Sequence, residues 1–398
     1  FTVEKRKYEG VEITQLTDNA DTEFKIWLCS IDNLLVVSFS EILVEKAIAQ
    51  REQKNWINNA KFQQVAGSIR NRRLFEFYFN YSLLEKYSKV YLTEDNTLIN
   101  MFSNSLSYSA FDLNIEEERL YFEGFTNVDT VSSYLKALSY VNPGKTNAYK
   151  ILSDQTALYF SICYDEFDDF FRKLQEQLAA EQGESFAEYN KKLQQVERFL
   201  KIDLKTDFFG WFGNEMTLAK LRPSEKSRVE DIILAVHAQD IDQAKKGMTH
   251  IIDQIKKRSP VRFETADHKN FPIYYLNTEK GLFMLLFGNL FEKLEKPYFT
   301  FIQDYVVFSN SHGALTKVID DYVDGRTLSH KEKFVDFKDE FNIKSNITLF
   351  IQMPKMYTNL YHFANNEAKK DIKENKDLIL SFARLGFQLE TEKGLYKN

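Results

Sequence analysis

The sequence predicts an α+β fold made of two related units, each an antiparallel sheet with packed helices. Three observations carry that prediction. Strand-like runs come in consecutive pairs, tight-turn residues separate them, and one hairpin-to-helix segment occurs twice. Ile31–Ser40 aligns without a gap on Ile302–Ser311, and Val44, Lys46, Ala47 and Ile48 fall on Leu315, Lys317, Val318 and Ile319.

Each copy makes physical sense. Asn33 or Asp304 sits between two β-rich runs and marks a tight turn. Ser40 or Ser311 is placed as a helix N-cap, whose hydroxyl accepts from an otherwise unpaired first-turn N–H. The apolar residues that follow recur at i, i+3 and i+4, which is one face of a helix.

The match extends both ways. Upstream, Val11–Ile13 aligns with Phe271–Ile273 and Phe1–Glu4 with Val261–Glu264. Downstream, Lys61-Phe62 aligns with Lys333-Phe334, and the strand-like Leu74–Phe79 with Ile347–Gln352. Towards the ends, Phe111–Leu113 aligns with Phe387–Leu389, and Leu120-Tyr121 with Leu395-Tyr396.

Ahead of the second copy stands a block, 150–260, with no counterpart before the first. It opens on the strand Ala157–Ile162 and continues into a helix with Phe167, Phe170, Phe171, Leu174 and Leu178 on one stripe. The run Phe208–Glu215, the strand Ile232–Val236 and a helix carrying Ile241, Ala244, Met248, Ile251, Ile252 and Ile255 complete it. The expected organisation is a first, N-truncated unit at 1–142, a linker at 143–150 and a complete second unit at 151–398. The break falls at Asn142-Pro143-Gly144-Lys145-Thr146, where the chain has its one Pro-Gly pair. An equivalent block is expected ahead of Phe1, with a signal peptide, an anchor or a larger N-terminal part removed.

Composition narrows the function classes. The 35 Phe and 21 Tyr, against 14 Gly and 6 Pro, provide for ring-rich cores or a large apolar groove. A net charge of -6 spread along the chain argues against nucleic acid, which needs concentrated basic surface, and against docking on anionic lipid. Lys256-Lys257-Arg258 reads as a solvated helix end, where cations offset the dipole. No apolar stretch is long enough to span a membrane. Cys29 and Cys163 lie in strand-like runs without a CxxC, so buried free thiols are expected over a disulfide.

No residue pattern calls for a cofactor, a metal or catalysis. His237, His250, His268, His312, His330 and His362 show neither HxH nor HExxH spacing. Asp165, Glu166, Asp168 and Asp169 lack the alternating ligands and central glycine of a calcium loop, and fit a helix start favoured by the dipole. Gly210-Trp211-Phe212-Gly213 is too bulky to cradle phosphate and reads as a tight turn. Trp211 and Phe212 are the candidate partner-binding residues, since aromatic side chains dominate binding hot spots; the competing role for them is core packing. GxSxG is absent.

Several of these segments resemble a known family. They are Ile151–Tyr159 with its Thr156-Ala157, Phe199–Leu204 followed by Phe209-Gly210-Trp211-Phe212-Gly213-Asn214-Glu215, and the hairpin-to-helix pieces at 31–48 and 302–319. The chain is similar to the bacterial domain-of-unknown-function (DUF) 3352 family, common in Bacteroidetes. It departs from the family pattern at Ser153, where proline is usual, and at Lys201, where glycine is usual. The resemblance implies an extracytoplasmic protein, in the periplasm or envelope, held to the membrane only through a missing N-terminal anchor or a partner. It implies no assigned activity.

The expected function is therefore that of a non-catalytic envelope interaction protein, a subunit of an envelope protein complex. The alternative is a carrier of a hydrophobic ligand such as a lipid, and the third possibility a hydrolase with an unrecognised site. A carrier requires a cavity of about several hundred Å³, a subunit an exposed apolar patch, and an enzyme converging titratable groups in a cleft.

Overall fold

The computed structural model describes residues 1–51, 56–69, 75–93, 96–116, 118–129, 134–181, 183, 186–223, 231–258, 266–276, 282–392 and 394–398. The chain divides into two compact units, Phe1–Gly67 and Ser68–Asn398. Every strand pairing in both is antiparallel.

The first unit holds β1 (Thr2–Tyr8), β2 (Val11–Thr17), β3 (Lys25–Ile31), β4 (Leu34–Ser38), α1 (Glu41–Gln50) and α2 (Ala60–Ala66). The strands form a meander in chain order. Glu9 and Gly10 both take positive φ, 46° and 80°, as the two-residue turn of a twisted hairpin requires. Helix α1 sets Val44 and Ile48 on Ile13 and Cys29, and Arg6 reaches from β1 to Glu41 and Glu45 at 2.6 Å each. Ser40 begins α1, but its side chain makes no cap hydrogen bond. The hydroxyl that does act there is Ser38 Oγ, which accepts from the Ser40 N–H at 3.0 Å.

The second unit begins with β5 (Phe75–Asn80), α3 (Leu84–Tyr91), α4 (Thr97–Ser105), β6 (Leu106–Glu116), β7 (Arg119–Val128) and α5 (Tyr134–Leu138). Next come β8 (Thr156–Cys163), α6 (Phe167–Glu181), α7 (Phe186–Leu200), β9 (Phe212–Leu221), β10 (Ile232–Ala238) and α8 (Ile241–Arg258). These are followed by β11 (Ala266–His268), β12 (Phe271–Tyr275), α9 (Leu282–Phe287), β13 (Tyr298–Ile302), β14 (Tyr305–Ser309), α10 (His312–Val323) and α11 (Glu332–Lys338). The unit closes with β15 (Ile347–Gln352), α12 (Met353–Phe363), α13 (Asn366–Glu374), α14 (Lys376–Ser381), β16 (Arg384–Glu392) and β17 (Leu395–Lys397).

Its strands form one 13-stranded sheet in the order β11-β12-β13-β14-β10-β9-β8-β15-β16-β17-β7-β6-β5. Strand β8 is buried on both faces, which explains its near-continuous apolar run. Phe160, Ile162, Leu234, Val236 and Phe308 point to one side, under α5 to α9. Tyr159, Ala235, Val307 and Phe350 point to the other, against α10 and α11. The predicted α6 stripe is buried throughout, and each of its large side chains contributes about 1.5–3 kcal/mol.

The β11–β14 segment has turn conformations like those of the first unit. Lys269 and Asn270 take positive φ at the β11–β12 turn. Asp32 and Gln303 do so at the β3–β4 and β13–β14 turns, at 52° and 50°. Ser311 caps α10 by accepting from Ala314 N–H at 3.2 Å, and Ser309 Oγ accepts from Ser311 N–H at 3.1 Å. Phe75 pairs with Leu113 as Ile347 pairs with Leu389, so this strand match moves one residue from the sequence expectation. Leu74 and Val261–Glu264 lie outside the described residues.

The stretch expected as a linker at 143–150 lies inside the second compact unit. Gly144 exchanges a bridge with Ser345, and a Cβ on Gly144 would come within 2.5 Å of the Tyr164 carbonyl oxygen. Only glycine permits that approach.

Candidate functional site

The Phe208–Glu215 segment is the natural place to look for a site, because it concentrates aromatic residues before a buried acid. Asp203 starts it, accepting from the Thr206 N–H at 2.9 Å, and Leu204–Phe208 forms a single π-helical turn. A close approach seats that turn on α8: a Cβ on Gly247 would lie 2.1 Å from the Asp207 carbonyl oxygen.

Trp211 and Phe212 are 0% and 1% exposed. Their rings lie 4.4 Å apart, and Phe212 also meets Phe167 at 4.7 Å and Phe287 at 5.9 Å. This corrects the expectation that they form a partner surface. The turn directs both rings inward, where α6, α8 and α9 close over them.

Glu215 follows on β9 and is 1% exposed. Its carboxylate accepts from Asn147 N–H at 2.8 Å, from Ala148 N–H at 3.1 Å, from Thr217 Oγ1 at 2.8 Å and from Tyr305 Oη at 2.8 Å. The two backbone donors open the 3₁₀ turn Ala148–Lys150. Glu215 thus ties residues 147–148 to the sheet. Burial pushes its carboxyl above the usual range, against the opposing pull of these four donors.

A pH dependence follows. The folded state holds the Glu215 proton to higher pH than the unfolded chain, so this group's stabilising contribution is complete below about 4.5 and falls as pH rises through the folded value. In denaturant titrations from pH 4 to 8, Glu215→Gln is expected to remove that component. A wild-type minus variant difference that is flat with pH would contradict it.

Sequence reasoning missed Glu215 as the organising residue, although a lone acid beside Met216 in a strand of buried residues was the available signal. Asp321 is a second buried acid. It holds Arg326 at 2.9 Å and Lys317 at 3.2 Å, and accepts from Ser153 Oγ in the Ile151–Tyr159 segment. Both cations are half exposed and can return to water, so Asp321→Ala is expected to cost only about 1–3 kcal/mol by thermal melting.

The remaining polar candidates stay apart. His268 meets Asp320 at 2.8 Å and His250 meets Asp207 at 3.0 Å, while burial pushes His237 down. Cys29 and Cys163 are buried and free, and burial pushes the Cys163 thiol well up. Among the described residues no His/Cys/Asp/Glu group could hold a metal ion, and no helix is long and apolar enough to cross a membrane. A polar pocket of about 120 Å³ lies at the start of α6, lined by Tyr140, Asn142, Asp165, Asp169, Arg172 and Lys173. Small-molecule pockets span roughly 300–1,000 Å³.

Exposed apolar side chains are concentrated elsewhere. Helix α3 and the residue before it present Leu83, Tyr87 and Val90 at i, i+4 and i+7, exposed by 55%, 64% and 63%. The Tyr87 and Tyr91 rings stand 5.2 Å apart on the same helix. This spacing makes one apolar helix face, and here it points to solvent.

Comparison with known proteins yields one family. The family model described as "Protein of unknown function (DUF3352)" matches residues 2–275 and, in a second overlapping region, 213–393. No curated protein and no solved structure matches.

Proposed function

We propose, for a chain that belongs to the DUF3352 family over nearly its whole length, the role of a non-catalytic interaction protein of the bacterial cell envelope, a subunit of an envelope complex. The observation that carries this reading is the α3 face, where Leu83, Tyr87 and Val90 stand out from the fold. Tyrosine is enriched in binding hot spots, and Tyr87 with its neighbour Tyr91 supplies two on this helix. The envelope compartment and a Bacteroidetes source are supported by the family resemblance alone.

The chain is read further as two related sequence repeats, 1–142 and 151–398, which are not its two compact units, since 143–150 lies within the second of those rather than linking two. Three features support this: the paired hairpin turns with positive φ at Glu9-Gly10 and Lys269-Asn270, the serine pairs Ser38-Ser40 and Ser309-Ser311, and the two overlapping family matches.

The test is affinity purification from the native envelope in mild detergent, with mass spectrometry of proteins and lipids. A stoichiometric protein partner is expected. The double substitution Tyr87→Ala, Val90→Asp should reduce its recovery at least about tenfold while changing stability by no more than about 0.5 kcal/mol. Recovery of the chain alone, or with one enriched lipid class, would overturn the reading.

A further inference from the structure

Within the second unit two three-stranded meanders, β15-β16-β17 and β5-β6-β7, meet at the β17–β7 pair. They end differently. The outer edge of β15 is taken by β8, from Ile347 opposite Ile162 to Ile351 opposite Leu158. Strand β5 has the corresponding place in its meander, yet among the described residues no strand pairs with its outer edge.

The adjoining face differs in the same way. Ile347, Leu389 and Tyr396 are fully buried in the core that α5 and α6 help to close. Their counterparts by strand register are Phe75, Leu113 and Leu120, and of these Phe75 is 58% and Leu120 47% exposed. Phe77 and Phe122 extend the patch at 45% and 42%, with rings 5.8 Å apart. Free edges are ordinarily guarded by charged side chains, lysine above all, or by proline. Strand β5, Phe-Glu-Phe-Tyr-Phe-Asn, has neither lysine nor proline and one charged residue, Glu76, among three phenylalanines.

We propose that the outer edge of β5 and its aromatic face are covered by a strand–helix segment patterned like β8–α6, supplied by the same polypeptide ahead of β1. The segment's chemistry follows from the covered edge. Leu158, Phe160 and Ile162 stand opposite Ile351, Leu349 and Ile347. The covering strand therefore places large apolar residues at alternate positions against Phe75, Phe77 and Phe79. The helix after it carries an aromatic stripe like that of Phe167, Phe170, Phe171 and Leu174 and lies over the face. Chain order assigns the source: the β8–β10 block runs through α8 directly into β11–β14, so its counterpart belongs directly before β1–β4. The inference rests on the reading of the halves as related units, not on the envelope role.

The experiment compares the 398-residue chain with the polypeptide extended upstream to the start of its reading frame, and a start within a few dozen residues of Phe1 overturns the proposal. Hydrogen exchange of the β5 amides is followed on unmodified protein, and alkylation of Phe77→Cys reports on the face. Cys29 and Cys163 are buried and contribute little background. Both exchange and alkylation are expected to slow at least about tenfold in the longer polypeptide, as for amides that open only with a cooperative unit. Equal rates in both forms overturn the proposal, as does protection that appears only with a separate partner protein. If the upstream sequence lacks a strand–helix pattern, the related-units reading fails with it. If the pattern is present but β5 stays unprotected, the covering proposal alone fails.

Discussion

Glu215→Ala is expected to lower the unfolding free energy by about 3–5 kcal/mol, because several buried donors lose their one acceptor at a cost of roughly 1–3 kcal/mol each. The carboxylate is the acceptor for Asn147 N–H, Ala148 N–H, Thr217 Oγ1 and Tyr305 Oη. Alanine leaves the two backbone donors inside the protein without water, and each buried unpaired group costs about 1–3 kcal/mol. Tyr305 loses its acceptor too, in a place where burial and the nearby carboxylate already push its hydroxyl up. Glu215→Gln keeps the volume and one acceptor oxygen but turns an amide donor toward other donors, so its loss should be smaller. Urea unfolding monitored by circular dichroism measures both. A shift of the midpoint at unchanged m attributes the effect to stability. A loss under about 1 kcal/mol for the alanine variant would show that 147–150 is held by other means.

Trp211→Ala should cost a similar amount, about 3–5 kcal/mol, through lost burial and a cavity that the surrounding rings cannot fill. Trp211 is wholly buried, with Phe208 at 5.9 Å and Phe212 at 4.4 Å. Its indole Nε1 has no hydrogen-bond partner, so Trp211→Phe removes an unsatisfied donor together with some volume and should be milder. Thermal melting distinguishes a core role from a binding role. A variant with an unchanged melting temperature but a lost partner would return Trp211 to the surface role that its aromatic character implied.

These two positions show where sequence reading stopped. The rings of the Phe208–Phe212 run identified it as important, but composition cannot tell a hot spot from a core, because both use the same side chains. What decided it was a turn conformation that depends on α8 approaching within contact of Asp207 at Gly247. Glu215 was passed over for a related reason. Its donors come from residues 147–148 and from Tyr305, remote in sequence, and only folding brings them to one carboxylate. The one-residue shift at β5 is likewise a matter of pairing, since Phe75 and Leu113 are joined by the sheet and not by any local pattern.

Local patterning by itself determined the mixed α and β character with antiparallel hairpins, the apolar stripes of α6 and α8, and the burial of both cysteines. Each depends on the near-neighbour periodicity of helix or strand, which a short window of sequence contains in full. Only the tertiary structure decided that, among the described residues, thirteen strands join one sheet, β8 completes the edge of β15, and β5 ends the sheet with aromatic side chains exposed. Strand order and edge exposure arise from pairings between residues far apart in the chain. In such pairings loop-closure entropy, packing of whole faces and competition between edges set the outcome together.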